Sequence, residues 1–95
     1  MKITEPTISY VFISYNAVSK MIAAINQLKE HEKETWHCII LDNGSDDDTG
    51  FQARKMVDAD PRIRYVYQQK QSIEIARSNA MELCLSENVR FVEIE

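Results

Sequence analysis

Four short apolar runs, separated by three stretches with helical apolar spacing, constrain this chain more than any other feature. The runs are "ISYVFIS" (Ile8 to Ser14), "WHCIIL" (Trp36 to Leu41), "RIRYVYQ" (Arg62 to Gln68) and "VRFVEI" (Val89 to Ile94). They are rich in β-branched and aromatic residues, as strands are, and the second is nearly continuous, which suits a strand covered on both faces. Between them Met21, Ile25 and Leu28 recur at helical spacing from Ser19 to about Glu30. Phe51, Ala53, Met56 and Val57 supply the apolar side of a second helix, with Ser45 and Asp46 to Thr49 as capping oxygens and first-turn acids. Pro61 ends it, because proline cannot continue a helix and biases Asp60 away from helical angles. A third helix is expected from Ser72 to Leu85, with Ile73, Ala76, Ala80, Leu83 and Cys84 inward. The order β-α-β-α-β-α-β implies a parallel sheet with right-handed crossovers and helices on both faces.

The chain's 95 residues make one domain, residues 1–95, with a core but little spare stability. Hydrophobic residues at 44% and charged residues at 27%, with only 2 Gly and 2 Pro, argue against disorder. A formal charge of -4 offers no general field for nucleic acid or an anionic membrane. Met1 to Pro6 lacks an apolar signal core and no run approaches the ~20 residues of a transmembrane segment. A cytoplasmic location is therefore expected. Cys38 falls in a strand and Cys84 in a helix, so reduced buried thiols are expected in preference to a disulfide or metal site.

In open parallel sheets ligands bind beyond the carboxyl ends of the strands. The residues collected there are Ser14, Tyr15 and Asn16, then Asp42, Asn43, Gly44 and Ser45, then Gln68 and Gln69, and finally Glu93 and Glu95. With glycine only at positions 44 and 50, neither a dinucleotide G-x-G-x-x-G turn nor a G-x-x-x-x-G-K-[ST] phosphate loop can be present.

The ordered set of motifs resembles the N-terminal, nucleotide-binding half of family 2 glycosyltransferases, the inverting GT-A type. "ISYVFISYN" is similar to a first strand ending in T/S-Y-N, with Ile13 where proline is usual, and "CIILDNGSDDDTG" to the corner I-x-V-D-D/N-G-S-x-D-D-T. "DPRIRYV" resembles the approach to the third strand, and "IARSNAMELCLSENVRFVEIE" resembles A-R-N-x-G, a helix, and a strand running into D-x-D. The resemblance implies a Rossmann-like three-layer α/β half domain, a truncated GT-A or nucleotide-diphospho-sugar transferase fold, with strand order 3-2-1-4 and three helices. It implies hexosyl transfer from a nucleotide-diphosphate sugar to an acceptor. By the same resemblance, Ser14, Tyr15, Asn16, Asp42, Asn43, Gly44, Ser45 and Arg77 form the nucleotide site. Tyr15 would stack on or hydrogen-bond the base, and Asn43 would accept from it without the charge of an aspartate. Asp42 would fix the loop or reach ribose, Gly44 would allow a left-handed backbone, and Arg77 would meet the diphosphate. Glu93 and Glu95 stand where D-x-D would chelate Mn2+ or Mg2+. The family's acceptor half and general base lie beyond that motif, so no catalytic residue is assigned and the chain alone is expected to be inactive.

Each of these residues also has a plain structural reading. The Asp46 to Asp48 run suits a helix N-terminus, Arg77 can pair with Glu74, Ser14 can bond backbone, and Glu93 and Glu95 can be solvated. Neither His31 nor His37 has an expected nucleophile beside it. Two other functions fit the pattern: a non-catalytic stand-alone binding or oligomerisation module, and, ranked last, a receiver-type phosphoacceptor domain, which needs an acid pair after strand one. The implied strand order leaves the strand at 89–94 on an edge, so a homodimer through it is expected, with Phe91→Lys weakening the dimer and Phe51→Lys harming the core.

Overall fold

The computed structural model describes residues 8–33, 35–84 and 90–94. Its elements run β1 (Ile8–Ser14), α1 (Val18–His31), β2 (Trp36–Asn43), α2 (Thr49–Ala59), β3 (Ile63–Gln68), α3 (Ile73–Leu83) and β4 (Arg90–Ile94). The four strands form one sheet in the order β3-β2-β1-β4, and every pairing is parallel. This is the α/β architecture and strand order anticipated above. β2 is longer than its apolar run suggests, because Asp42 and Asn43 continue the ladder opposite Tyr67 and Gln68.

Alternation along β1 and β2 divides the interior into two layers. Ile8, Tyr10 and Phe12 of β1, with Cys38 and Ile40 of β2, pack against Met21, Ile25 and Leu28 of α1 and Ala53 of α2. On the opposite face Val11, Ile39 and Leu41 meet Ala76, Ala80 and Cys84. The α3 layer is thin. Its helix inserts two alanines and a cysteine where α1 inserts two large aliphatics and a methionine, so α3 lies close to the sheet.

Two sequence expectations change. Phe51 does not face the core: it is 62% exposed, with the Lys55 ammonium 5.4 Å from its ring, whereas Ala53 is buried in the core and Met56 and Val57 pack against it. Substitution of Phe51 is thus not a core substitution. Ile73, at the start of α3, is likewise 43% exposed. The cause is rotational phase: Ala53 is two residues from Phe51, about 200° around a helix, so the two cannot share a face. Cys38 and Cys84 are free and buried as expected, and burial pushes the Cys38 thiol up to about 12. Leu85 and Val89, the expected limits of the third helix and fourth strand, lie outside the described residues.

At the N-terminal end of the sheet Arg62 joins β3 to β2. Its guanidinium lies 3.9 Å from the centre of the Trp36 ring, and its Nη2 and Nε donate to Asp60 at 2.8 and 3.0 Å. These bonds hold the Asp60 carboxyl below its ordinary range. Near the same end His37 Nε2 lies 2.7 Å from Ser9 Oγ, a pair that was not expected. Ser9 and His37 are register partners in adjacent strands, and pairing of this kind is invisible until the register is known.

Candidate functional site

The carboxyl ends of β1, β2 and β3 meet at one rim, and side chains from the loops there tie the elements together. Asn16 has a left-handed backbone (φ 50°) that turns β1 toward α1. Its Oδ1 accepts from the backbone N–H of Asp46 at 2.7 Å and of Asp47 at 3.3 Å, while its own N–H donates to Ser45 Oγ at 2.9 Å. Asp47 completes the tie by accepting from Val18 N and Thr49 N. Hydrogen bonding to Thr49 holds the Asp47 carboxyl below the usual carboxylate range. The three-aspartate run therefore works as loop and helix-start chemistry.

Asp42 is 1% exposed and uses both oxygens: Oδ1 accepts from Ser45 N at 2.9 Å and Oδ2 from the Tyr65 hydroxyl at 2.6 Å. Burial, then the bond to Asp42, pushes the Tyr65 phenol well above its ordinary value. Asp42 thereby ties the corner to β3. Asn43, 3% exposed, is a clamp on the β3–α3 loop. Its Oδ1 accepts from Gln68 Nε2 at 2.9 Å and Gln71 N at 3.0 Å, and its Nδ2 donates to Gln71 O at 3.0 Å. Gln68 Oε1 in turn accepts from Asn79 Nδ2 of α3 at 2.9 Å.

Gly44 follows with φ 87°, a left-handed value that favours glycine. Its absent side chain matters twice over, since a Cβ there would stand 2.8 Å from the Lys70 backbone nitrogen. The loop clamped by Asn43 thereby comes close to the corner, and it brings the Lys70 ammonium 3.6 Å from the centre of the Tyr15 ring. Tyr15 is 45% exposed, and Tyr67, opposite Asp42 near the end of β3, is 56% exposed. Ser14 Oγ, beneath Tyr15, is fully buried and finds no hydrogen-bond partner among the described residues.

Arg77 of α3 donates from Nε to Glu93 Oε1 of β4 at 2.7 Å. Among the described residues Glu93, not Glu74, pairs with it, and Glu93 is more than a solvated end. Glu95 lies outside the described residues. The structure accordingly gathers Tyr15, Asn16, Asp42, Asn43, Gly44 and Ser45 at one rim and places Arg77 with Glu93 on the α3 side. Sequence reasoning missed Lys70 and Gln71; the only available signal was their place directly after a strand end. A groove of about 370 Å³ between α1 and β4 involves Leu28, His31 and Ile94 and is separate from this rim.

Among the described residues no group of three His, Cys, Asp or Glu side chains can hold a divalent metal, and Glu93 pairs with Arg77. Nor is any helix among them long and apolar enough to cross a membrane.

An open parallel sheet flanked by helices, with a polar corner at its carboxyl ends, defines the open-sheet class of α/β protein, in which ligands bind beyond the strand ends. Within that class the chain belongs to glycosyl transferase family 2, whose family model matches residues 9–92. No curated protein sequence matches it. Among solved structures it is similar to the mannosyltransferase PcManGT from Pyrobaculum calidifontis, determined in complex with GDP-Man and Mn2+, with a TM-score of 0.69 at 14% identity. The match covers 87% of this chain and 25% of the mannosyltransferase, so the chain spans about a quarter of that protein's length.

Proposed function

We propose that the chain is the donor-nucleotide half of a family 2 glycosyltransferase, binding a nucleotide-diphosphate sugar at the rim and transferring nothing alone. The observation that carries this reading is the exposed Tyr15 ring beside the Gly44 corner, in a chain of that family. The similar mannosyltransferase was solved with a nucleotide sugar, which supports the same ligand class here. Tyr15 offers a stacking face, the Gly44 turn allows close approach, and Lys70 supplies positive charge. Mn2+ or Mg2+ remains part of the reading only with carboxylates beyond Glu93, and no role below depends on it. Asp42 and Glu93 are both committed to protein partners, so neither is placed to deprotonate an acceptor hydroxyl.

Nucleoside diphosphates should bind in the millimolar to high micromolar range, roughly 4 to 6 kcal/mol. NMR titration with UDP, GDP and dTDP should move the amide signals of Tyr15, Asn43 and Gly44, and absence of shifts with all three would refute the reading. Turnover of any sugar donor by this chain alone would refute its catalytic half.

A second reading, a non-catalytic binding or oligomerisation module, is favoured by the Arg77–Glu93 pair at the position where the family places its metal ligands. β4 pairs with β1 on one side, and among the described residues no strand pairs with its other side. A homodimer through the edge at 90–94 follows from that edge. Sedimentation equilibrium at high micromolar concentration should show it, and a monomer with β4 protected from hydrogen exchange would reject it.

A further inference from the structure

We infer that the chain binds neutral carbohydrate at a groove between α2 and β3, with the Tyr67 ring as the platform for a sugar ring and Arg54 and Asp58 as partners of its hydroxyls. The groove holds about 520 Å³ and is lined by Arg54, Val57, Asp58, Tyr65 and Tyr67. None of these five belongs to the set gathered at the rim, so the groove stands or falls apart from the donor-site reading.

The lining follows from two periodicities. Arg54, Val57 and Asp58 are three and four positions apart on α2 and share one face of that helix. Tyr65 and Tyr67 are two apart on β3 and share one face of the sheet. β3 is the outermost strand on this side, and among the described residues no strand pairs with its outer edge, so the sheet does not close the groove there. Tyr65 is the fixed wall: its hydroxyl donates to Asp42, Gly50 puts no side chain in its way, and the Arg54 guanidinium lies 5.9 Å from its ring centre. Arg54 is thereby held over one ring while Tyr67 presents the other to solvent.

The ligand class follows from what the polar groups can give and accept. A guanidinium only donates and a carboxylate only accepts. Arg54 and Asp58 stand one helical turn apart, both are exposed, and neither belongs to an ion pair among the described residues. A phosphate that met Arg54 would lie near the Asp58 carboxylate, and an ammonium that met Asp58 would lie near Arg54, so either charged ligand sets one repulsion against one attraction. A hydroxyl both donates and accepts, so a neutral polyhydroxyl ligand satisfies the two side chains at once. The C–H face of a pyranose supplies the apolar surface that suits Tyr67 and Val57, and aromatic walls with a few placed polar groups are the make-up of a small-ligand site of this volume.

The test is an NMR titration of the whole chain with cellobiose, maltose and mannobiose, with sorbitol as a polyol that has no ring face, and with UDP. At least one disaccharide should shift the amide signals of Val57, Asp58 and Tyr67 saturably in the millimolar range, and sorbitol at equal concentration should not. Tyr67→Thr, which suits a strand but lacks the ring, should weaken that binding by about fivefold or more. Asp58→Ala, an exposed change on α2, should weaken it by about threefold or more through loss of a charge-assisted bond. Each variant's own spectrum first confirms that it is folded. Absence of groove shifts with all three disaccharides, equal shifts with sorbitol, or unchanged affinity in either variant overturns the inference. Saturable shifts of Val57 and the Arg54 Nε–H with UDP but not with saccharide assign the groove to the nucleotide and overturn it as well. UDP shifts confined to Tyr15, Asn43 and Gly44 keep the donor-site reading whatever the saccharides do, and failure of every nucleotide to bind defeats that reading alone.

Discussion

The side chain of Asn43 shows how one uncharged group sets the form of a binding rim. A carboxamide presents an acceptor and a donor side by side, and Asn43 uses both on the backbone of Gln71. Asn43→Asp would keep the acceptor but turn the donor into a second oxygen, 3.0 Å from the Gln71 carbonyl oxygen in a buried position. Loss of that bond and the facing oxygens should cost about 1–3 kcal/mol, read as a lower urea midpoint with unchanged slope. Unaltered stability would mean that the clamp does not persist in solution. The letters "DNGS" announce a turn at a strand end, and the site corner was legible from them. They do not announce where the Asn43 amide is spent, because its partners lie 25 and 28 positions later in the chain.

Among the elements, α2 gives the clearest contrast between pattern and packing. Its apolar residues are spaced so that two inward faces are available, and Ala53 against the sheet decides between them by allowing close approach. Phe51→Lys should therefore change stability by no more than about 0.5 kcal/mol. Met21→Ala in α1 should cost roughly 2–5 kcal/mol, since Met21 is fully buried in the larger layer. Chemical denaturation of both variants checks the pair, and a large loss in Phe51→Lys with little in Met21→Ala would reverse the assignment of faces. Strands were more legible than helix faces. Continuous β-branched runs specify a two-sided parallel strand with few alternatives, whereas a short helix with four apolar residues admits more than one rotation. Register was not legible at all, which is why Ser9 beside His37 emerged only in three dimensions.

Across the whole molecule both ends of the sheet carry groups that titrate: Asp42, Asp47 and Tyr65 at the carboxyl rim, His37, Asp60 and Arg62 at the opposite end. Burial, then the positive charge of Arg64, holds the His37 pKa below its ordinary 6.5. The folded state thus favours neutral imidazole, so the unfolded chain takes up more protons as pH falls through 6.5. Asp60, depressed from 3.8 by Arg62, and Asp47, depressed from 3.8 by its bonds to Thr49, act in the same direction in a separate and more acidic window. Unfolding midpoints should accordingly decline first between about pH 7 and 5, and His37→Gln should flatten that first decline alone. A pH-independent midpoint over that interval in the unaltered chain would contradict the His37 environment. The same end carries Trp36, the chain's one tryptophan, buried in contact with the Arg62 guanidinium and in a T-shaped contact with Tyr10. β2 runs from Trp36 to Asn43, so about 23 Å of strand separates the indole from the rim. The protein thereby contains its own optical reporter, placed where its emission registers loss of the fold while a nucleotide arriving at Tyr15 leaves it dark to the event.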